Sequence, residues 1–92
     1  MASIDIRRPH RLSQSEAHAV IDKVAARMRE KFEVKTQWEN DTAMAFERPG
    51  ISGQIAISSN EIHVSARLGM LFFPLKGMIE QEIRRKLDEH FA

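Results

Sequence analysis

"LGMLFFPLKG", residues 68–77, is where one hydrophobic period gives way to another. Upstream, Ile62, Val64, Ala66 and Leu68 alternate with His63, Ser65 and Arg67, the two-residue period of a half-buried strand. Downstream, Leu71, Leu75, Ile79, Ile83, Leu87 and Phe91 recur at four-residue steps, one face of an amphipathic helix. Pro74 suits the first helical position, where a missing N–H leaves no hydrogen bond unmade. The spacing therefore predicts a strand ending at Leu68 and a helix over about Phe73 to His90. A four-residue row drifts by about 40° per step, so it wraps over a broad surface, as suits a helix lying diagonally on a twisted sheet.

The same two periods organise the rest of the chain. Ser3 to Arg7 alternates polar and apolar, and Pro9 ends that strand because proline cannot donate to a ladder. Ser13 and Glu16 form a capping box, with Leu12 and Ala17 placed for a hydrophobic staple. Ala17, Val20, Ile21, Val24, Met28 and Phe32 then line one face of a helix from about Ser13 to Phe32. Val34, Thr36 and Trp38 begin the next strand and should face the core. Asn40-Asp41, Pro49-Gly50 and Ser59-Asn60 are turn pairs separating three further short strands. The expected fold is α+β in the order β-α-β-β-β-β-α. One five-stranded, mainly antiparallel sheet should carry both helices on one face, and the other face should meet water or a partner.

Ninety-two residues, 42% hydrophobic and 29% charged, make a single domain over residues 1–92 with one modest core and little room for a deep active-site cavity. A net charge of +1 supplies no strong field to steer nucleic acid or an anionic membrane. There is no cysteine, which removes disulfide and thiolate chemistry and fits a reducing compartment. The first residues lack the apolar run of a signal peptide, and no run approaches the roughly 20 apolar residues of a transmembrane segment. The expectation is a soluble cytoplasmic protein.

Few residues have the spacing that chemistry needs. His10, His18, His63 and His90 form no HxxxH or HExxH pair, so they read as surface or boundary histidines, and no metal or cofactor is expected. His63, Ser65 and Arg67 share the polar side of one strand. An esterase built there would lack an oxyanion hole and a water-excluding pocket, so no catalytic residue is assigned. On the last helix, Glu80–Arg84 and Glu82–Lys86 read as solvated i,i+4 pairs. Arg7, Arg8, His10 and Arg11 cluster without the aromatics of a nucleic-acid site, so no nucleic-acid partner is expected.

That leaves the opening stretch. Leu68, Leu71 and Leu75 belong to interior rows, whereas Met70 and Phe73 lie off them with no core partner. Phe73 sits one turn from Gly77, whose missing side chain leaves a flat spot, at a cost of about 1 kcal/mol against alanine. Met70, Phe72, Phe73 and Gly77 are thus candidates for an apolar contact surface, with the open-face residues His63, Ser65 and Arg67 as a second candidate. The alternative is that Phe72 and Phe73 simply plug the open end of the core.

Two motifs carry a resemblance. "IDIRRPHRLSQSEA" is similar to an I-x-I-x-R-x-H-x-L-x-x-x-E-A pattern, and "LGMLFFPLKGMIEQEIRRKLDEHF" resembles LG-x-L followed by KG-x-I-E-x-E-I and a closing LD. Gly53 is a further anchor between them, and the likeness covers nearly the whole chain. These resemble the polyhydroxyalkanoic acid system family, small bacterial proteins associated by name with storage-polyester granules. The resemblance implies a cytoplasmic protein linked to polyhydroxyalkanoate accumulation, with a polyhydroxyalkanoate granule or a granule protein as partner. No catalytic residue carries over from it. By analogy alone, a sheet gripping a C-terminal helix looks like a miniature helix-grip (START-like) architecture.

Three functions compete on this basis. The first is a non-enzymatic interaction protein using the Met70–Phe73 edge, the open sheet face, or both. The second is a carrier holding an acyl chain between helix and sheet, where Ala43, Ala45, Ala56 and Ala66 would leave space. The third is the esterase at His63 and Ser65. An uncovered sheet face also favours a homodimer.

Overall fold

Strands form where the two-residue period places them. The computed structural model describes residues 2–91. It contains β1 (Ala2–Pro9), α1 (Gln14–Phe32), β2 (Lys35–Asn40), β3 (Ala43–Arg48), β4 (Ile51–Ile57), β5 (Glu61–Leu68), a 3-10 turn (Phe73–Leu75) and α2 (Lys76–Phe91). The order is the expected β-α-β-β-β-β-α. The sheet runs β1-β5-β4-β3-β2, and every neighbouring pair is antiparallel.

The first and second strands are therefore opposite edges, and α1 is the connection between them. Four strand spacings come to roughly 19 Å. Nineteen residues of helix run to about 28 Å, long enough to cross the sheet obliquely. The start of α1 is fixed by the predicted capping box: Ser13 Oγ accepts from the Glu16 N–H, and the Ser13 N–H donates to Glu16 Oε1. Its end is set by Glu33, which turns left-handed at φ 57° and donates its N–H to the Arg29 carbonyl.

Register shows what each face carries. One cross-strand row runs Ile6–Val64–Ile55–Met44–Trp38, and the next runs Ile4–Ala66–Gly53–Phe46–Thr36. Ile21, Val24 and Met28 of α1 and Ile79, Ile83 and Leu87 of α2 close over these rows, and all six are buried. Trp38 lies on this side but at the edge of the sheet. It is half-buried, stacked on His18 at 3.6 Å, and its Nε1–H donates to Asp22 at 2.8 Å.

Two arginines reach the helix side of the sheet and meet helix ends. Arg48 donates to the Phe32 carbonyl at the close of α1 (3.0 Å), and Arg8 donates to the Phe91 carbonyl at the close of α2 (3.3 Å). Arg8 also pairs with Asp88 at 3.0 Å. Cations suit these positions because the last carbonyls of a helix are unpaired and carry its negative dipole end. The basic cluster of the sequence is thereby split, since Arg7 points to the opposite face and pairs with Glu61 at 3.1 Å.

His10 is an interior group, contrary to the surface or boundary position expected. Its side chain is buried. Nε2–H donates to the Ser58 carbonyl (2.8 Å) while Nδ1 accepts the Leu12 N–H (3.1 Å). One imidazole thus ties the exit of β1 to the β4–β5 turn and aims the chain at Ser13. His10→Ala removes both bonds and should lower stability by about 2 kcal/mol. A urea midpoint unchanged from wild type would show that the ring holds nothing together.

Candidate functional site

The open sheet face is polar along its rows. Asp5, Ser65, Gln54, Ala45 and Gln37 form one row, and Ser3, Arg67, Ser52, Glu47 and Lys35 form the next. His63 Nε2 contacts Asp5 Oδ1 at 2.8 Å, and the Arg7 guanidinium lies 3.8 Å from the same carboxylate. Ser65 sits beside this pair in the register, yet no hydrogen bond joins it to His63 among the described residues. A nucleophile needs its base within hydrogen-bond reach. The geometry supplies an imidazole–carboxylate pair without a hydroxyl. Arg67 is exposed and has no carboxylate within salt-bridge distance among the described residues.

The alanines expected to leave a cavity lie elsewhere. Ala43 pairs with Ala56 and Ala45 with Gln54 on the open face, on the side away from the helices, because each is offset by one residue from the core rows. Only Ala66 faces the helices, and it is buried. The helix–sheet layer is filled by isoleucine, valine, leucine, methionine and phenylalanine side chains, so the space imagined for an acyl chain is not where those alanines are.

The corner after β5 differs most from expectation. Leu71 and Leu75, read as interior, are exposed at 75% and 40%. The physical reason is that neither lies in an α-helix: Leu71 precedes the first helical turn and Leu75 is in a 3-10 turn. Residues 73–75 turn as a 3-10 helix and α2 begins only at Lys76, three residues later than predicted. A 3-10 turn advances about 120° per residue instead of 100°, so the four-residue row loses its heading before Ile79. The last strand also ends at Leu68, so these side chains lie beyond it. Met70 is 94% exposed, Phe73 58% and Met78 48%.

Phe72 parts company with these neighbours. It is half-buried against the core, and its ring takes the space that a Cβ on Gly50 would need. Gly50 has φ of 93°, so this turn requires glycine for conformation and for room alike. Arg48 lies over the Phe72 ring at 4.9 Å. The aromatic pair thus divides: Phe72 plugs the end of the core as the alternative reading had it, and Phe73 faces outward. Gly77 is exposed, and a Cβ there would meet nothing. A cleft of about 700 Å³ opens beside the corner between Lys35, Arg48 and Arg67. None of Met70, Leu71, Phe73, Leu75 and Met78 lines it.

A charge cluster missed by the sequence, one carboxylate among three cations, lies between the helices. Glu82, expected to pair with Lys86 on a solvated face, is buried and accepts from Arg85 at 2.7 Å and Arg27 at 3.5 Å, with Lys31 at 3.7 Å. Lys86 pairs instead with Glu89 at 3.0 Å. Two of the three cations belong to α1, and helical spacing within α2 carries no trace of them. Glu80 and Arg84 approach to 4.0 Å as expected.

Among the described residues no group of three His, Cys, Asp or Glu could hold a metal ion. No helix among them is long and apolar enough to cross a membrane. Compared with known protein families, residues 4–91 match the family described as "Putative polyhydroxyalkanoic acid system protein". No curated protein and no solved structure gave a match.

Proposed function

The chain belongs to the polyhydroxyalkanoic acid system family, and on that premise we propose that it is a non-enzymatic interaction domain whose contact surface is the corner at residues 70–78. It acts by docking this corner on a component of the storage-polyester system. One observation carries the reading: among the described residues, the large apolar side chains left exposed, Met70, Leu71, Phe73, Leu75 and Met78, all fall within this one short segment. Scattered exposed apolar residues need no explanation, whereas a contiguous group marks a contact site.

The test is co-sedimentation with isolated polyhydroxyalkanoate granules. Phe73→Ser removes a ring that supports little of the core, so folding should persist. The apparent affinity should fall roughly tenfold, the equivalent of about 1.4 kcal/mol of lost apolar contact. Undiminished sedimentation of a folded Phe73→Ser protein would move the contact surface elsewhere. The open face around His63, Ser65 and Arg67 would be the next surface to test. Light scattering of the free protein separates this docking from self-association through that face.

A further inference from the structure

We propose that the corner docks on an anionic lipid surface, with Met70, Leu71 and Phe73 entering the apolar layer and Lys76 at head-group level. This rests on the reading of residues 70–78 as the contact surface, and it names what that surface meets.

Shape is the first reason. A stable protein partner covers about 800 Å² with roughly 20–30 residues on each side. Here the exposed apolar side chains come from nine consecutive positions. They line no part of the neighbouring cleft but project from the turn after β5, a single 3-10 turn and the first turn of α2. A helical peptide ligand needs a groove to lie in, and a projecting corner offers none. A fluid apolar layer needs no complementary shape, because it closes around whatever side chain enters. Methionine and leucine, with several rotatable bonds, suit such a phase.

Charge is the second reason. Residues 68–79 contain one cation, Lys76, and no carboxylate. The cleft beside the corner is lined by Lys35, Arg48 and Arg67 together with Glu33 and Glu47, of which Arg48 and Glu33 pair at 3.5 Å. Counting Lys76, four cations face two carboxylates, a local excess of positive charge on a chain whose net charge is only +1. Lysine can lay its methylene stem along apolar material and keep its ammonium among head groups. Both contributions are modest. Binding should be reversible, sensitive to salt and dependent on anionic lipid, as for other short interfacial anchors.

The experiment uses the full chain and protein-free vesicles, of phosphatidylcholine alone or mixed with phosphatidylglycerol, beside native granules and bare polyester particles. The expected result is sedimentation with the phosphatidylglycerol vesicles, weaker with phosphatidylcholine alone, and reduced at high salt. Phe73→Ser should weaken it roughly tenfold. Met70→Ser, at a side chain too exposed to affect folding, should weaken it several-fold. Failure to bind any protein-free vesicle, with binding to native granules intact, would overturn the lipid assignment. The partner would then be a granule protein, and the function proposed above would stand. Equal binding to bare polyester particles would also overturn it. Loss of binding to native granules as well would remove both readings, and vesicle binding indifferent to both substitutions would remove the corner from it.

Discussion

Gly53→Ala should lower stability by about 3 kcal/mol, and Gly53→Val should leave the chain unfolded at room temperature. A domain of this size is stable by only about 5–10 kcal/mol, so few single changes are so costly. Gly53 lies in β4 between Phe46 on β3 and Ala66 on β5. A Cβ placed on it would collide with the Phe46 ring and come within 2.5 Å of the Ser65 carbonyl oxygen. The ring is buried and the carbonyl belongs to the neighbouring strand, so neither can retreat without moving the sheet. The missing side chain is what allows Phe46 to fold across its neighbour and fill the middle of the helix-facing layer. Thermal and urea unfolding followed by circular dichroism measure the loss. Combining Gly53→Ala with Phe46→Leu should recover part of it, because the shorter side chain vacates the contested space. A Gly53→Ala protein as stable as wild type would mean that the ring lies elsewhere.

Glu82→Gln should cost about 2 kcal/mol at neutral pH and almost nothing in acid. Burial pushes the Glu82 carboxyl upward, but Arg85, Lys31 and Arg27 together outweigh it, so the group titrates below its usual value of about 4.5. In the unfolded chain the cations disperse and the group returns toward that value. A carboxylate depressed by folding contributes stability that is complete above the unfolded pKa. The contribution fades as pH falls from about 4.5 through the lower folded value. The difference between wild type and Glu82→Gln should therefore be large at pH 7 and shrink toward zero once pH has fallen below the lowered folded value. Glu16, lowered by its bonds to the Ser13 backbone and side chain, and Glu89, lowered by Lys86, titrate in the same direction. The variant accordingly keeps a shallower acid slope instead of losing it. A gap between the two proteins that stays constant with pH would show that the cluster acts through packing and not through charge.

Much of this fold is legible along the chain because its information is local. The alternation of Ile62, Val64, Ala66 and Leu68 decides a strand by itself, and Ser13 with Glu16 decides a helix start. What escapes is whatever depends on two elements meeting. Glu82 looks like any residue of a solvated helix face until Arg27 and Lys31 arrive from α1. His10 looks exposed beside three arginines until the β4–β5 turn brings the Ser58 carbonyl to its ring. Ala43, Ala45 and Ala56 look like sites for a cavity, although pairing register puts them on the outer face. Leu71 and Leu75 mislead in another way. A four-residue row assumes unbroken α-helical pitch, whereas Leu71 precedes any helical turn and Leu75 sits in the 3-10 turn at Phe73–Leu75.

The outward position of Met70 and Phe73, by contrast, follows from sequence because both fall off every apolar row. Phe72 is separated from Phe73 only by Gly50, whose vacant side-chain position receives its ring. Spacing alone could not distinguish the two phenylalanines.

Methionine oxidation tests the central claim most directly, since the chain carries its own controls. Met70 and Met78 lie on the exposed corner, while Met28 and Met44 are 4% and 2% exposed in the core. Mild peroxide followed by mass spectrometry reads each thioether separately. Among these four, in the free protein Met70 should oxidise first and Met78 next, with Met28 and Met44 spared. With granules bound, Met70 and Met78 should become resistant while the two core residues stay as they were. Oxidation of Met70 at an unchanged rate on the bound protein would contradict the account.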